Sequence, residues 1–193
     1  MDNCKVLIID DEEINTLQLE HAFEGVGDIS TSNNSSEANV LIEELKPDIL
    51  ILDLEMPHVS GFDILEAIQQ KSNLEHIRVV VITSHNDPII EEKALSLGAI
   101  DFISKPLNLK LCRIRIENHI KIRTQEKAIQ LTQAALSTEK EQLRITLDSI
   151  ADAVISTDKN ANIVYMNPVA QRLTGWPQTA AKGQHIEEVM NLV

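Results

Sequence analysis

Five side chains that can do chemistry stand at the ends of short aliphatic runs: Asp10, Asp11, Asp53, Thr83 and Lys105. Three carboxylates that lie close together repel one another unless a cation joins them or a pKa shifts. Carboxylate oxygens are the ligands of a hard ion such as Mg2+. A cation, a lysine and a hydroxyl around one free carboxylate can hold a phosphoryl group while that carboxylate attacks it. Once brought together, these residue types predict phosphoryl transfer to Asp53.

The aliphatic runs themselves are predicted to be strands of a parallel sheet. Three of the five contain four consecutive apolar residues, a run too short for a helix and typical of strands buried on both faces. Helical patterns separate them, so strand and helix alternate five times within about 120 residues. The predicted strands are Lys5–Ile9, Asp28–Ser32, Ile49–Leu52, Arg78–Ile82 and Ala99–Ile103.

Apolar stripes and end signals predict the helices between these strands. The first stripe consists of Ile14, Leu17, Leu19, Ala22 and Phe23. Asp87 is predicted to cap the fourth helix, with Pro88 at its first position.

Right-handed crossovers bring the carboxyl ends of parallel strands to one edge of the sheet. The five chemical side chains are therefore expected at that edge. The alternative is that each residue only caps a helix or solvates a loop, and this would have to hold at every one of those strand ends.

Four motifs make residues 3–122 resemble a response-regulator receiver domain of bacterial two-component signalling: VLIIDDE, ILDLEMPHVSG, VVVITS and AIDFISKP. The resemblance implies an α/β, flavodoxin-like (βα)5 fold, a doubly wound parallel sheet with helices on both faces. It also implies a phosphoacceptor domain rather than a stand-alone enzyme, active only in its own phosphorylation and dephosphorylation.

The resemblance further implies a Mg2+-dependent reaction. Asp53 would accept the phosphoryl group from a sensor histidine kinase, a phosphotransfer protein or a small phosphodonor. Asp11 and Asp53 would supply metal carboxylates and Glu55 its backbone carbonyl, while Asp10 would act through water.

The same resemblance implies a conformational switch. Thr83 and Lys105 would complete the catalytic set with Asp53. Thr83, Phe102 and Pro106 would form the switch, with a cis peptide bond before the proline.

Two further expectations concern variable positions. Glu55 and His85 either set the lifetime of the phosphate or are plain solvated side chains. Asp101 and Arg115 are expected to pair between two copies of the chain.

A long helix is predicted after the receiver, because residues 107–150 contain no glycine or proline. One heptad row is apolar and consists of Ile122, Ile129, Leu136, Leu143 and Ile150. The residues of the matching row are all polar, so a parallel coiled-coil homodimer competes with a lone solvated helix. The expected domains are the receiver at 1–122, the helical linker at 123–148 and a third segment at 149–193.

The third segment resembles the N-terminal part of a PAS domain, with an α+β pattern. The resemblance rests on AVISTD, IVYMNPVAQRLTGW and the pair Gly183-Gln184. Strands are expected at Ala153–Thr157 and Ile163–Asn167, followed by a helix with Val169, Leu173 and Trp176. A fragment of this kind is expected to be disordered or to pair with another copy.

Composition limits the other functions. The net charge of −13 lies mainly in the first 106 residues and argues against nucleic acid as a direct partner. No apolar run reaches the ~18 residues of a membrane span. Two cysteines without metal-ligand spacing favour a cytoplasmic protein. The competing functions are an aspartyl-phosphate phosphohydrolase and an interaction scaffold that is not phosphorylated, and the output domain is not evident.

Overall fold

The computed structural model describes residues 4–84 and 88–190 in two compact units, residues 1–127 and 128–193. His85 and Asp87 lie outside the described residues. The expected role of His85 in the lifetime of the phosphate and that of Asp87 as a helix cap therefore stay predictions. Among the described residues, no helix is both long and apolar enough to cross a membrane.

The first unit is built on a five-stranded sheet of strand order β2-β1-β3-β4-β5, and every pairing is parallel. This order confirms the predicted doubly wound topology. The strands are β1 Lys5–Ile9, β2 Asp28–Ser32, β3 Ile49–Asp53, β4 Arg78–Thr83 and β5 Ala99–Ser104.

Helices cover both faces of this sheet. They are α1 Glu13–Ala22, α2 Ala38–Leu45, α3 Gly61–Gln69, α4 Pro88–Ser96 and α5 Leu109–Asp148, with 3-10 turns at Ser35–Glu37 and Ser72–Leu74. Alternate residues of the central strands feed two separate cores. Leu50 and Leu52 pack with α2, α3 and α4 on one face, while Ile49 and Ile51 pack with α1 and α5 on the other.

The apolar stripe predicted for α1 is partly wrong. Ile14 and Leu17 are 63% and 56% exposed, whereas Asn15 and Thr16 are buried beside Leu19. The helix is turned so that its first polar residues face the carboxyl ends of the strands. Hydrogen bonds at that edge, described below, replace apolar contacts as the reason for their burial.

Helix α5 runs without interruption for 40 residues, as the absence of glycine and proline predicts. In the first unit, Cys112 and Ile116 are buried against the sheet. In the second unit, Ile129, Leu136 and Leu143 are exposed. The heptad row is therefore available to a partner, and the coiled-coil homodimer stays a prediction.

The second unit contains a hairpin and three short helices around a small core. They are β6 Ile155–Thr157, β7 Ile163–Met166, α6 Pro168–Thr174, α7 Gln178–Ala181 and α8 Ile186–Val189. Both strands are shorter than predicted: β6 begins two residues later, at Ile155, and β7 ends one residue earlier, where Asn167 caps α6. Leu173 is 72% exposed, and Trp176 follows α6 instead of lying in it.

Asn167 organises this second unit through one fully buried amide. Its Oδ1 accepts hydrogen bonds from the backbone N–H groups of Val154 and Ala170, at 3.0 and 2.9 Å. Its Nδ2 donates to the carbonyl oxygens of Leu147, Ile150 and Asp152, at 3.3, 3.3 and 2.8 Å. One side chain thus joins the end of α5, the entry to the hairpin and the start of α6.

Candidate functional site

The predicted site residues meet at the carboxyl edge of the sheet. Asp10 follows β1, while Asp53, Thr83 and Ser104 close β3, β4 and β5. Gly61 lies so close beneath this edge that a Cβ there would collide with the carbonyl oxygen of Asp53. A side chain at position 61 would therefore displace the backbone that carries Asp53.

Three carboxylates form the centre of the site. One oxygen from each of Asp10, Asp11 and Asp53 lies within 4.8 Å of the other two. Asp10 and Asp53 are almost fully buried, and Asp11 is more open to solvent. Such a cluster needs a compensating positive charge.

Lys105 supplies one positive charge to this cluster. Its Nζ lies 2.6 Å from Asp53 Oδ2 and 3.1 Å from Asp10 Oδ2. The backbone N–H of Lys105 donates to the carbonyl oxygen of Thr83 at 2.8 Å, which ties β5 to the end of β4. The Lys105–Pro106 peptide bond is cis, as predicted.

The surroundings of the acid cluster raise the pKa values of both Asp53 and Lys105. Burial raises the pKa of Asp53 above its ordinary value and repulsion from Asp10 adds to this, although hydrogen bonds from Lys105 and from the Glu55 N–H act in the opposite direction. Burial alone would lower the pKa of Lys105, but the hydrogen bond to Asp53 and the charges of Asp53 and Asp10 raise it. The lysine therefore stays charged beside an aspartate that is costly to ionise.

The remaining predicted residues lie around this centre. Thr83 is buried at the end of β4. The backbone N–H of Glu55 donates to Asp53 Oδ1 at 3.1 Å, and the Glu55 side chain is exposed. Phe102 is half-buried on β5 and lines a cavity of about 120 Å³ together with Pro106.

Asn15 is a site residue that the sequence analysis missed. Its Nδ2 donates to both carboxylate oxygens of Asp10 at 3.0 Å and to Glu12 Oε2 at 2.9 Å. The Glu12 N–H donates to Asp10 Oδ1 at 2.9 Å. These bonds fix the orientation of Asp10. The available signal is a small amide one turn beyond the acids, outside the apolar stripe predicted for this helix.

Asp101 and Arg115 form an ion pair within the chain, and their expected pairing between two copies stays a prediction. Arg115 Nη1 lies 2.6 Å from Asp101 Oδ1 and also donates to the carbonyl oxygen of Phe102 at 3.0 Å. His119 Nε2 lies 3.1 Å from Asp101 Oδ2. Both α5 side chains reach β5 of their own chain because they follow each other by one helical turn.

The donor set fits a hard divalent cation. Within the described residues, these carboxylates lie close enough together to share a metal ion, and the oxygen-only composition of the group suits Mg2+. Three acids against one lysine leave an excess of negative charge that a divalent ion would balance.

Family comparisons agree with this geometry. The family model described as "Response regulator receiver domain" matches residues 6–117, and the PAS fold model matches residues 141–191. The receiver match ends inside α5, and the PAS match begins inside the same helix.

Individual proteins are similar to this chain over different shares of its length. A Vibrio cholerae serotype O1 protein described as "Probable cyclic di-GMP phosphodiesterase" is 26% identical over 80% of this chain and 35% of its own length. The phosphate regulon transcriptional regulatory protein PhoB of Rhizobium meliloti is 27% identical over 58% of this chain and 50% of its own length. This chain thus spans half or less of the length of these two curated relatives.

A solved receiver structure shows the same fold. The signal receiver domain of the DNA binding response regulator protein merR from Colwellia psychrerythraea 34H aligns with a TM-score of 0.55 and 29% identity, over 61% of this chain and 98% of that one.

Proposed function

Because this chain belongs to the response regulator receiver domain family, we propose that Asp53 is its phosphoacceptor. The observation that carries the proposal is the contact of Lys105 Nζ with both buried acids, Asp53 and Asp10. An ion-paired lysine beside a buried carboxylate holds positive charge where a phosphoryl oxygen would develop negative charge.

The transfer forms one bond and breaks one. A carboxylate oxygen of Asp53 attacks phosphorus, and the bond from phosphorus to the donor nitrogen or oxygen breaks with its electron pair going to the donor. During the transfer, the ammonium group of Lys105 shifts part of its interaction from Asp53 to a phosphoryl oxygen, whose negative charge it neutralises. Thr83, at the end of the neighbouring strand, is the hydroxyl that we assign to another phosphoryl oxygen.

Mg2+ is the cofactor that we assign to this reaction. Asp11 and Asp53 would hold it directly, together with the backbone carbonyl of Glu55, and Asp10 would hold it through water. When bound, the ion supplies charge neutralisation between Asp53 and the incoming phosphoryl group. Asn15 serves the same step by keeping the Asp10 carboxylate in place before the ion arrives.

We infer a sensor histidine kinase or a phosphotransfer protein as the partner. The exposed Ile14 and Leu17 lie on α1, which begins three residues after Asp10. An apolar pair beside an acidic pocket suits a partner helix that presents its phosphohistidine to Asp53.

The response is proposed to pass from Thr83 and Phe102 to α5 and onward to the PAS segment. We propose functional segments at 1–122, 123–148 and 149–193, although the packing of the first compact unit extends into the linker as far as residue 127. The exposed heptad row supports a homodimer, and the greater length of the relatives supports a further output domain. Free thiols at both cysteines support a cytoplasmic location, and we propose no enzymatic activity beyond self-phosphorylation and autodephosphorylation.

Acetyl phosphate with Mg2+ tests the assignment of Asp53. The intact chain should gain one phosphate by mass spectrometry, and Asp53→Asn should gain none. Asp152→Asn, the same change at an exposed aspartate, is the control and should label like the wild type. Labelling that persists in Asp53→Asn contradicts the assignment, and catalytic release of phosphate from a simple phosphomonoester would favour a phosphohydrolase.

A further inference from the structure

One face of α5 changes from apolar to charged as the helix passes the base of the sheet. Cys112, Ile116 and Ile120 lie on the face that packs against the sheet. Arg123 and Lys127 continue this face at helical spacing. Arg123 is only 7% exposed, and a buried arginine is rare unless it is paired.

Asp48 is the acid that receives both cations. It is 3% exposed and precedes β3, where its N–H donates to the Lys5 carbonyl and its carbonyl accepts from the Arg78 N–H. Arg123 Nε lies 3.3 Å from Asp48 Oδ1, and Lys127 Nζ lies 2.7 and 2.8 Å from the two carboxylate oxygens. The carboxylate is thereby held at the amino edge of the sheet, the edge opposite Asp53.

A second pair runs in the opposite sense beside the first. Arg78 Nη2, on the first residue of β4, lies 2.5 Å from Glu126 Oε1 of the helix. Arg123 and Lys127 of the helix thus pair with Asp48 of the sheet, and Glu126 of the helix pairs with Arg78 of the sheet. A rotation by one residue, about 100°, would separate these pairs. The ion pairs therefore fix both the rotation of α5 about its own axis and its position along that axis relative to the sheet.

We propose that Asp48, Arg78, Arg123, Glu126 and Lys127, here called the Asp48 cluster, form a docking site for the linker helix on the base of the sheet. The cluster makes residues 118–127, which follow the last residue of the receiver match, part of the rigid receiver unit. Asp48 directly precedes β3 and Asp53 is the last residue of this strand. The two aspartates are about 16 Å apart along the strand. Helix and phosphoacceptor are then fixed to the same strand, and α5 has no hinge where the receiver match ends.

Hydrogen–deuterium exchange on the full chain tests this docking. Lys127→Glu places a negative charge beside Asp48, and Lys121→Glu is the matched control, since it makes the same change at an exposed position on the same helix. Peptides covering 118–127 should exchange about ten-fold faster or more in Lys127→Glu, and at the wild-type rate in Lys121→Glu. Peptides covering β1 should keep their protection in both variants.

Equal exchange over 118–127 in both charge-reversal variants would overturn the proposal. Asp48→Asn should accelerate the same peptides. If that variant instead loses protection throughout the first unit, the two lysine variants still decide, because their side chains are not deeply buried. The measurement needs no phosphodonor, so its result is independent of whether Asp53 is phosphorylated.

Discussion

Asp53→Asn is expected to stabilise the first unit at pH 7 in the absence of added metal, although it removes the proposed phosphoacceptor. The Asp53 carboxylate is almost fully buried and its pKa is raised, so its ionised form is costly in the folded state. An amide of nearly the same shape carries no charge. Lys105 keeps Asp10 as its partner at 3.1 Å in the variant.

The magnitude follows from the charges around Asp53. Lys105 Nζ at 2.6 Å contributes about 6 kcal/mol of attraction at an effective dielectric constant of about 20. Asp10 and Asp11, within 4.8 Å, each contribute about 3.5 kcal/mol of repulsion. Attraction and repulsion nearly cancel, so the desolvation of the carboxylate decides the sign. We expect a net gain of about 1–3 kcal/mol in the free energy of unfolding.

Urea unfolding followed by circular dichroism measures this gain. Glu20→Gln, an exposed acid on α1, is the control and should change the free energy of unfolding by less than about 0.5 kcal/mol. The gain should depend on pH, because the folded state resists ionisation of Asp53. It should be absent below the ordinary carboxyl pKa near 3.8, grow as pH rises toward the raised pKa of the folded state, and then stay constant.

Added Mg2+ should cancel most of this difference in stability, and should reverse it where the gain of Asp53→Asn is below about 2.7 kcal/mol. Wild type should gain about 2.7 kcal/mol at 100 times its dissociation constant, and Asp53→Asn should gain much less because a metal ligand is lost. If Asp53→Asn is less stable than wild type without metal at pH 7, the balance of charges described here is wrong.

Three further variants test the support of Asp10, the role of Glu55 and the heptad row of α5. Asn15→Leu should weaken Mg2+ binding about 10-fold or more in calorimetry, since the Asp10 carboxylate loses its amide support; Asn34→Leu, outside the site, should not, and equal affinities would refute the role. Glu55→Ala should change the decay rate of the aspartyl phosphate while labelling persists, and an unchanged rate would mean that Glu55 is only solvated. Leu136→Lys should shift a dimer to monomer in sedimentation at micromolar concentration, whereas Gln133→Lys should not; a dimer that survives Leu136→Lys uses another surface.

The strands and the positions of the candidate site residues could be predicted from the sequence. Each aliphatic run is short and bounded, and parallel topology alone places Asp10, Asp53 and Lys105 at one edge. The facing of α1 could not be read from its apolar residues, because hydrogen bonds to Asp10 decide it. Arg123 and Asp48 are 75 residues apart, so nothing local indicates their pairing. The sequence signal of this pairing is that the apolar face of α5 continues with two cations, Arg123 and Lys127.

The position of Asn167 has a consequence for the chemical ageing of the chain. Asparagine deamidates when the backbone nitrogen of the next residue attacks its side-chain amide. The next residue is Pro168, whose nitrogen carries no hydrogen, so that route is closed. Conversion to aspartate would set a carboxylate against three carbonyl oxygens that now accept from Nδ2. The asparagine that joins three elements of the second unit is therefore also protected from this common form of spontaneous damage.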